Sequence, residues 1–229
     1  MDYITKNERL IKKMSEWGFK RKNINTFRRT EGEAILDFYF THNTNNEHHV
    51  KYYCINVNIW YPEIDRIKKK GDFYFGIPNA SIWCDLGHLM GFPIQREYRI
   101  SDDDDESTIN MVVDRMFYDL RNYALSIMKR YSVLSVFIDD YEKGLLEGYH
   151  VNKQTMALMY LMCYGKEKAI DYTRQQLYLL REKLQGKLNV TIQKEKFADM
   201  DPVLINFIRE EIEELEDLYE KLKTYNANT

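Results

Sequence analysis

Two stretches of the chain alternate apolar and polar positions with the two-residue period of a β-strand. In the first, Ala34, Leu36, Phe38 and Phe40 fall on one side and Ile35, Asp37, Tyr39 and Thr41 on the other. In the second, Tyr53, Ile55, Val57, Ile59 and Tyr61 make a wholly apolar face. Its opposite face carries Tyr52, Cys54, Asn56, Asn58 and Trp60, which is aromatic yet able to hydrogen-bond. A shorter strand is expected over 26–30, joined to the first by the turn Glu31-Gly32-Glu33. Residues 81–90 read as a further strand, with Trp83 and Asp85 on one face and Ile82, Cys84 and Leu86 on the other. An edge strand over 94–100 completes the set, after the breaks at Gly91 and Pro93. Consecutive strands with short connections predict an antiparallel meander of four to five strands covered by helices, an α+β arrangement.

The remaining segments carry the 3.6-residue period of helices. Over 3–17, Tyr3, Leu10, Met14 and Trp17 share a stripe, and Gly18 supplies a left-handed stop with Phe19 packing back on the last turn. Polar residues 42–49 form a loop, and 63–80 a loop or short helix. The acidic run Asp102 to Glu106 precedes a helix over 107–131, where negative charge complements the helix dipole, and a further helix spans 133–143. Beyond lies helix alone. Residues 155–164 are apolar nearly all round, which predicts burial; Gly165 ends them, and 166–185 form a partner helix. After a connection over 187–200, Asp201-Pro202 starts a last helix with Leu204, Ile208, Ile212, Leu215, Tyr219 and Leu222 inward and a glutamate-rich outer face. The helix–Gly–helix pair looks like a tetratricopeptide-type hairpin, but a solenoid needs about three repeats and one is present. Two parts follow: an α+β domain over 1–145 and an all-α C-terminal extension over 146–229.

Composition narrows the function classes. The net charge is −3, and the basic runs Lys20-Arg21-Lys22 and Lys68-Lys69-Lys70 are short, so no basic stripe for nucleic acid is expected. Three cysteines without a C-x-x-C pair fit reduced thiols in the cytoplasm. Asp2, Lys6 and Glu8 occupy the place of a signal peptide's apolar run, and no stretch reaches the roughly 20 apolar residues of a membrane span. With 229 residues, a core forms without metal or disulfide support. Eighteen tyrosines and eleven phenylalanines exceed what such a core takes, so some rings belong at the surface or in a cleft.

The search for chemistry is largely negative. There is no P-loop, G-x-G-x-x-G, H-E-x-x-H or G-x-S-x-G. His42, His48 and His49 share a loop but lack a cysteine or carboxylate at zinc-finger spacing. Cys84 and His88 have nucleophile–base chemistry, but a thiol on an apolar strand is ordinarily inert. No catalytic residue, cofactor or metal is therefore expected. The candidate ligand-binding set is Tyr39, Asn56, Asn58, Trp60, Trp83 and Asp85, with Asp37 beside them where strand register brings them together. Aromatic walls with a few convergent polar groups are what ligand sites use. The same residues are also compatible with a solvated sheet face or a buried hydrogen-bond ladder.

The run Trp17-Gly18-Phe19-Lys20-Arg21-Lys22, followed by Thr26-Phe27-Arg28-Arg29, resembles a bacterial family known as domain of unknown function 4304. That family joins a helix ending in Gly-Phe-basic to an aromatic-Arg strand. An aliphatic strand like Tyr53-Cys54-Ile55-Asn56-Val57-Asn58-Ile59 and a long helix like 107–131 follow. The resemblance covers about 3–142. It departs at Asp37-Phe38-Tyr39-Phe40, where the family often shows glutamine and serine. It implies no activity and transfers no catalytic residue. The expectation is a non-enzymatic binding or protein-interaction module, immunity-like or regulatory, meeting a protein partner through its C-terminal helices. The competing expectation is a small-ligand sensor or enzyme using the aromatic-amide face.

Overall fold

The computed structural model describes residues 6–42, 49–73, 81–146, 149–193 and 201–226. The chain divides into two units, one formed by residues 1–62 and 79–150, the other by 63–78 and 151–229.

The first unit opens with helix α1 (Glu8–Glu16), capped by Asn7, whose side chain accepts from the Leu10 N–H at 3.0 Å. Helix formation within the expected 3–17 thus begins at Glu8; residues 1–5 lie outside the described ones. Gly18 takes φ +78°, and the two bonds of a Schellman end form: Gly18 N–H to Ser15 O and Phe19 N–H to Met14 O, each 2.9 Å. Arg29 locks this end from the neighbouring strand. Its Nη1 donates to Trp17 O at 2.8 Å, and its guanidinium lies 4.8 Å from the Phe19 ring centre. Gly-Phe and the distant arginine are therefore one capping device.

Among the described residues six strands follow: β1 (Lys20–Arg21), β2 (Thr26–Glu31), β3 (Ala34–His42), β4 (Val50–Trp60), β5 (Ile82–Asp85) and β6 (Tyr98–Ser101). All pairings are antiparallel, in the order β1-β2-β3-β4-β5, with β6 also beside β4. The eleven-residue β4 holds β6 along Val50–Tyr53 and β5 along Asn56–Ile59. Two expectations need adjusting. The strand read over 81–90 is cut at Asp85, because the Asp85 carboxylate caps the short helix α3 (Leu86–Leu89), accepting from His88 N–H at 3.1 Å. The edge strand read over 94–100 forms only from Tyr98, and it joins β4 instead of extending the meander past β5.

The apolar face of the sheet is the core. Phe27, Leu36, Phe38, Phe40, Ile55, Val57, Ile59, Ile82 and Cys84 are all buried. Helices supply the rest: Leu10 and Met14 from α1, Val113, Met116 and Phe117 from α4 (Glu106–Asp119), and Met128 from α5 (Leu125–Arg130). Between α4 and α5 lies a π-helical turn, Leu120–Ala124, so the single helix expected over 107–131 has a bulge. Asp105, from the acidic run, caps α4 by accepting from Thr108 N–H at 2.7 Å; hydrogen bonding from the Thr108 side chain, then from its N–H, holds the Asp105 carboxyl below the usual range. Helix α6 (Leu134–Glu142) ends at Gly144.

Among the described residues the second unit holds helices: α2 (Pro62–Lys70), α7 (Lys153–Tyr164), α8 (Lys166–Gln193) and α9 (Asp201–Thr224). Of the run 155–164 expected to be buried, Thr155 to Leu161 are buried on every side, together with Gln154, whereas Met162 and Cys163 are half-buried and Tyr164 is exposed at the helix end. Helix α8 runs past Gln185 to Gln193; no proline interrupts it, and Gly186 has open space around it. The inward stripe of α9 is Ile205, Ile208, Ile212, Leu215, Leu218 and Leu222, while Leu204 and Tyr219 are half-buried at its borders. Ion pairs Lys153–Glu211 and Arg181–Glu216, each 2.6 Å, join α9 to α7 and α8 beside this stripe.

Candidate functional site

On the face of the sheet away from the core, antiparallel register draws the expected residues into cross-strand rows. Tyr39 pairs with Asn56, and Asn56 with Asp85; Asp37 pairs with Asn58, and Asn58 with Trp83. Trp60 follows two residues on, opposite Ile35. Arg28, on β2, extends the second row beyond Asp37. All six sequence-derived residues thus share one patch. They differ sharply in environment.

Asp37 is 2 % exposed and fully engaged. Arg28 grips it with both arms, Nε to Oδ1 at 2.6 Å and Nη2 to Oδ2, and Trp60 Nε1 donates to Oδ2 at 3.0 Å. The Arg28 guanidinium also lies 5.9 Å from the Trp60 ring centre. Hydrogen bonding to Asp37 raises the Arg28 pKa, opposed by partial burial. Trp60 is therefore a structural member of a triad centred on a buried carboxylate, and its indole N–H is already committed. Asp85 is likewise buried and committed, capping α3 and pairing with His88 Nδ1.

Four residues remain as open surface chemistry. Tyr39 and Trp83 are each 38 % exposed. Between them sit Asn56 and Asn58, half-buried, and neither carboxamide has a hydrogen-bond partner among the described residues. Trp83 is held from its strand edge by His150, through Trp83 N–H to His150 O at 3.1 Å and His150 N–H to Trp83 O at 2.9 Å. The two rings also stack, with centres 4.0 Å apart and planes at 16°. Arg28, His88 and His150 were not foreseen as neighbours. Arg28 has a partial signal, since i,i+2 alternation from Thr26 sets its face of β2, while register sets it beside Asp37. His150 has none, because a single bridge to Trp83 from far along the chain leaves no periodicity.

The thiols offer no activated nucleophile on this face. Cys54 is buried, and burial with the nearby charges of Glu97 and Asp85 pushes it up to about 11. Cys84 points into the core, where burial and Asp85 push it up to about 12. Its partner in the Cys–His idea, His88, is tied to Asp85. Among the described residues no group of three or more His, Cys, Asp or Glu is arranged to hold a metal ion. In the histidine loop, His42 packs edge-on to Tyr53 with ring centres 6.0 Å apart, His49 lies 3.9 Å from Asp102, and His48 falls outside the described residues. No described helix is long and apolar enough to cross a membrane.

A second polar cluster, invisible in the sequence pattern, sits behind the core. Asp119 is wholly buried at the start of the π-helical turn, accepting from Tyr98 Oη at 2.8 Å, with Arg96 and Arg115 at 3.5 and 3.4 Å. Burial, then the Asp119 hydrogen bond, raises the Tyr98 pKa. The cluster ties β6 to α4 and has no exposed member at its centre.

Comparison with curated proteins and with solved structures yields no match. A family model does match, over residues 10–130, which is more than half of the chain and takes in most of α1, the whole sheet and α4 through α5. The Gly18–Phe19–Arg29 cap and the β3–β4 pair both fall inside that span, and the chain belongs to the family described as Domain of unknown function (DUF4304).

Proposed function

We propose that this chain is a non-enzymatic binding module whose recognition surface is the outer face of the sheet, centred on Asn56 and Asn58 between Tyr39 and Trp83. The observation that carries it is the pair of carboxamides without partners between two exposed rings. Both asparagines are half-buried and none of their carboxamide atoms is committed within the sheet, so their donors and acceptors can exchange water for a partner's hydrogen bonds. The rings add apolar area with polar tips, the composition typical of interface anchors. Beside them, the Arg28–Asp37–Trp60 triad and the His150 stack hold the patch in one geometry, which lowers the ordering cost of binding.

The test is affinity capture by the full-length chain, comparing the wild type with an Asn56→Ala/Asn58→Ala double variant that keeps the wild-type melting temperature. A partner captured by the first and lost by the second supports the assignment; identical captures refute it. A second reading places a protein partner on the C-terminal helices, in a regulatory or immunity-like role within the cytoplasm. It is supported by Val203 and Phe207, 73 % and 63 % exposed one turn apart on α9. A Val203→Ser/Phe207→Ser variant in the same capture separates the two surfaces.

A further inference from the structure

Resting on that assignment of the sheet face, we infer that its ligand is an extended peptide segment laid along β4, held by its backbone through Asn56 and Asn58. Three observations lead there. Asn56 and Asn58 are two residues apart on one strand, so their Cα atoms are about 6.7 Å apart. An extended peptide presents the N–H and C=O groups of every second residue to the same side, with the same repeat. Each carboxamide offers one carbonyl acceptor and an NH2 donor, the complement of one residue's backbone pair. The spacing and the chemistry therefore match over two successive same-side residues of a strand-like ligand.

The charge of the patch selects among polymers. Single-stranded nucleic acid also repeats on this length scale, but it needs cations free to meet phosphates. Arg28 is bound by both arms to Asp37, Lys20 lies at the far end of the row on β1, three strands from Asn58, and a second carboxylate, Asp85, lies beside Asn56, so no free cation of the described residues flanks the asparagines in these rows. Neutral amides over compensated carboxylates suit a neutral backbone. Tyr39 lies one strand to one side of Asn56, and Trp83 one strand to the other side of Asn58. The rings therefore flank the amide line at staggered positions, where they meet the side chains that an extended peptide directs outward. Apolar or aromatic side chains at alternate positions are the class expected.

The experiment uses the full-length chain, a phage-displayed library of random linear peptides and a thymidine oligonucleotide. The expected result is enrichment of peptides with apolar residues at every second position. Their affinity falls about tenfold or more in Asn56→Ala/Asn58→Ala, the scale of losing a small set of hydrogen bonds. N-methylating backbone amides one by one weakens binding with a two-residue period. Tyr39→Ser, at an exposed position, lowers affinity while leaving that period intact, and so tests the site without touching the amides. No enrichment, enrichment unaffected by the double variant, or N-methyl losses without the period would overturn the peptide assignment. So would oligonucleotide binding that depends on the asparagines. If the library fails while capture of a partner still depends on Asn56 and Asn58, the face binds something other than an extended peptide and the broader assignment stands.

Discussion

Removing the Asp37 carboxylate is the sharpest way to ask whether the patch is held by its triad. Asp37→Ala leaves the Arg28 guanidinium without its bidentate partner and the Trp60 indole N–H without an acceptor. Breaking a fully buried pair from one side costs about 3–5 kcal/mol. Here Asp37 is buried, but the Arg28 side chain is 26 % exposed and can recover some hydration. That brings the ion-pair part down to about 2 kcal/mol, and the orphaned Trp60 N–H adds about 1 kcal/mol. A total near 3 kcal/mol corresponds to a melting temperature lower by about 10 °C in a chain of this size. Asp37→Asn keeps one acceptor for Trp60 and loses the charge, so it falls between, at about 1.5 kcal/mol. The discriminating variant is Arg28→Met/Asp37→Leu. Removing both charges eliminates the stranded guanidinium, so the double variant is expected to melt higher than Asp37→Leu alone. Thermal unfolding by circular dichroism, run on all variants in one buffer, reads the series. If Asp37→Ala melts within about 2 °C of the wild type, or the double variant is the least stable of the set, the triad is not what holds the patch.

The other expectations concern the surrounding frame. In Gly87→Ala, the added methyl lies 2.3 Å from Ile94 O and 2.6 Å from Arg96 N, both main-chain atoms. It should cost about 2–3 kcal/mol in denaturant titration, and an unchanged midpoint would contradict this packing. Tyr98→Phe strips a donor from wholly buried Asp119 and should destabilise by about 2 kcal/mol, with wild-type stability the refuting result. The Asp140 carboxyl is held below the usual range, chiefly by Arg130 and with a further bond from Tyr131, against the opposing effect of burial. Its stabilisation is present above the unfolded carboxylate pKa of about 4 and lost as pH falls through the lower folded value. The melting-temperature gap between wild type and Asp140→Asn should therefore be widest near neutrality and close in acid; a gap constant with pH would refute it. Iodoacetamide at pH 8 should leave Cys54 and Cys84 unmodified in the native protein and label both after denaturation, since their thiols sit at about 11 and about 12. Rapid native labelling of either, read by mass spectrometry, would show that the strand is not closed over them.

Much of this was legible along the chain because strand and helix periods are local properties. Alternation in 34–41 and 50–61 determined which side chains face the core, since a strand offers only two sides and a one-residue slip would turn Asp37 and Asn58 into the apolar face. Gly18 announced its left-handed turn for the same local reason, and all-round apolarity announced the burial of most of α7. The candidate set Tyr39, Asn56, Asn58, Trp60, Trp83 and Asp85 was legible as residues of one face, but not as a site with parts.

Tertiary structure alone decided what each of those residues does. Register set Asp37 beside Arg28, and packing then turned Trp60 toward that carboxylate, which removed Trp60 from the open surface and left the asparagines in it. Asp85 went to capping α3, a choice that depends on Gly87 tolerating the main chain of 94–96 against it. His150 reached Trp83 from far along the chain, and β6 chose β4 over β5. Such pairings carry no signature in a single strand's pattern, because they arise from where distant segments meet and which hydrogen-bonding groups are still unsatisfied there. Which face of the sheet is polar was written in the sequence; which of its polar groups are still open to a partner was settled only by folding.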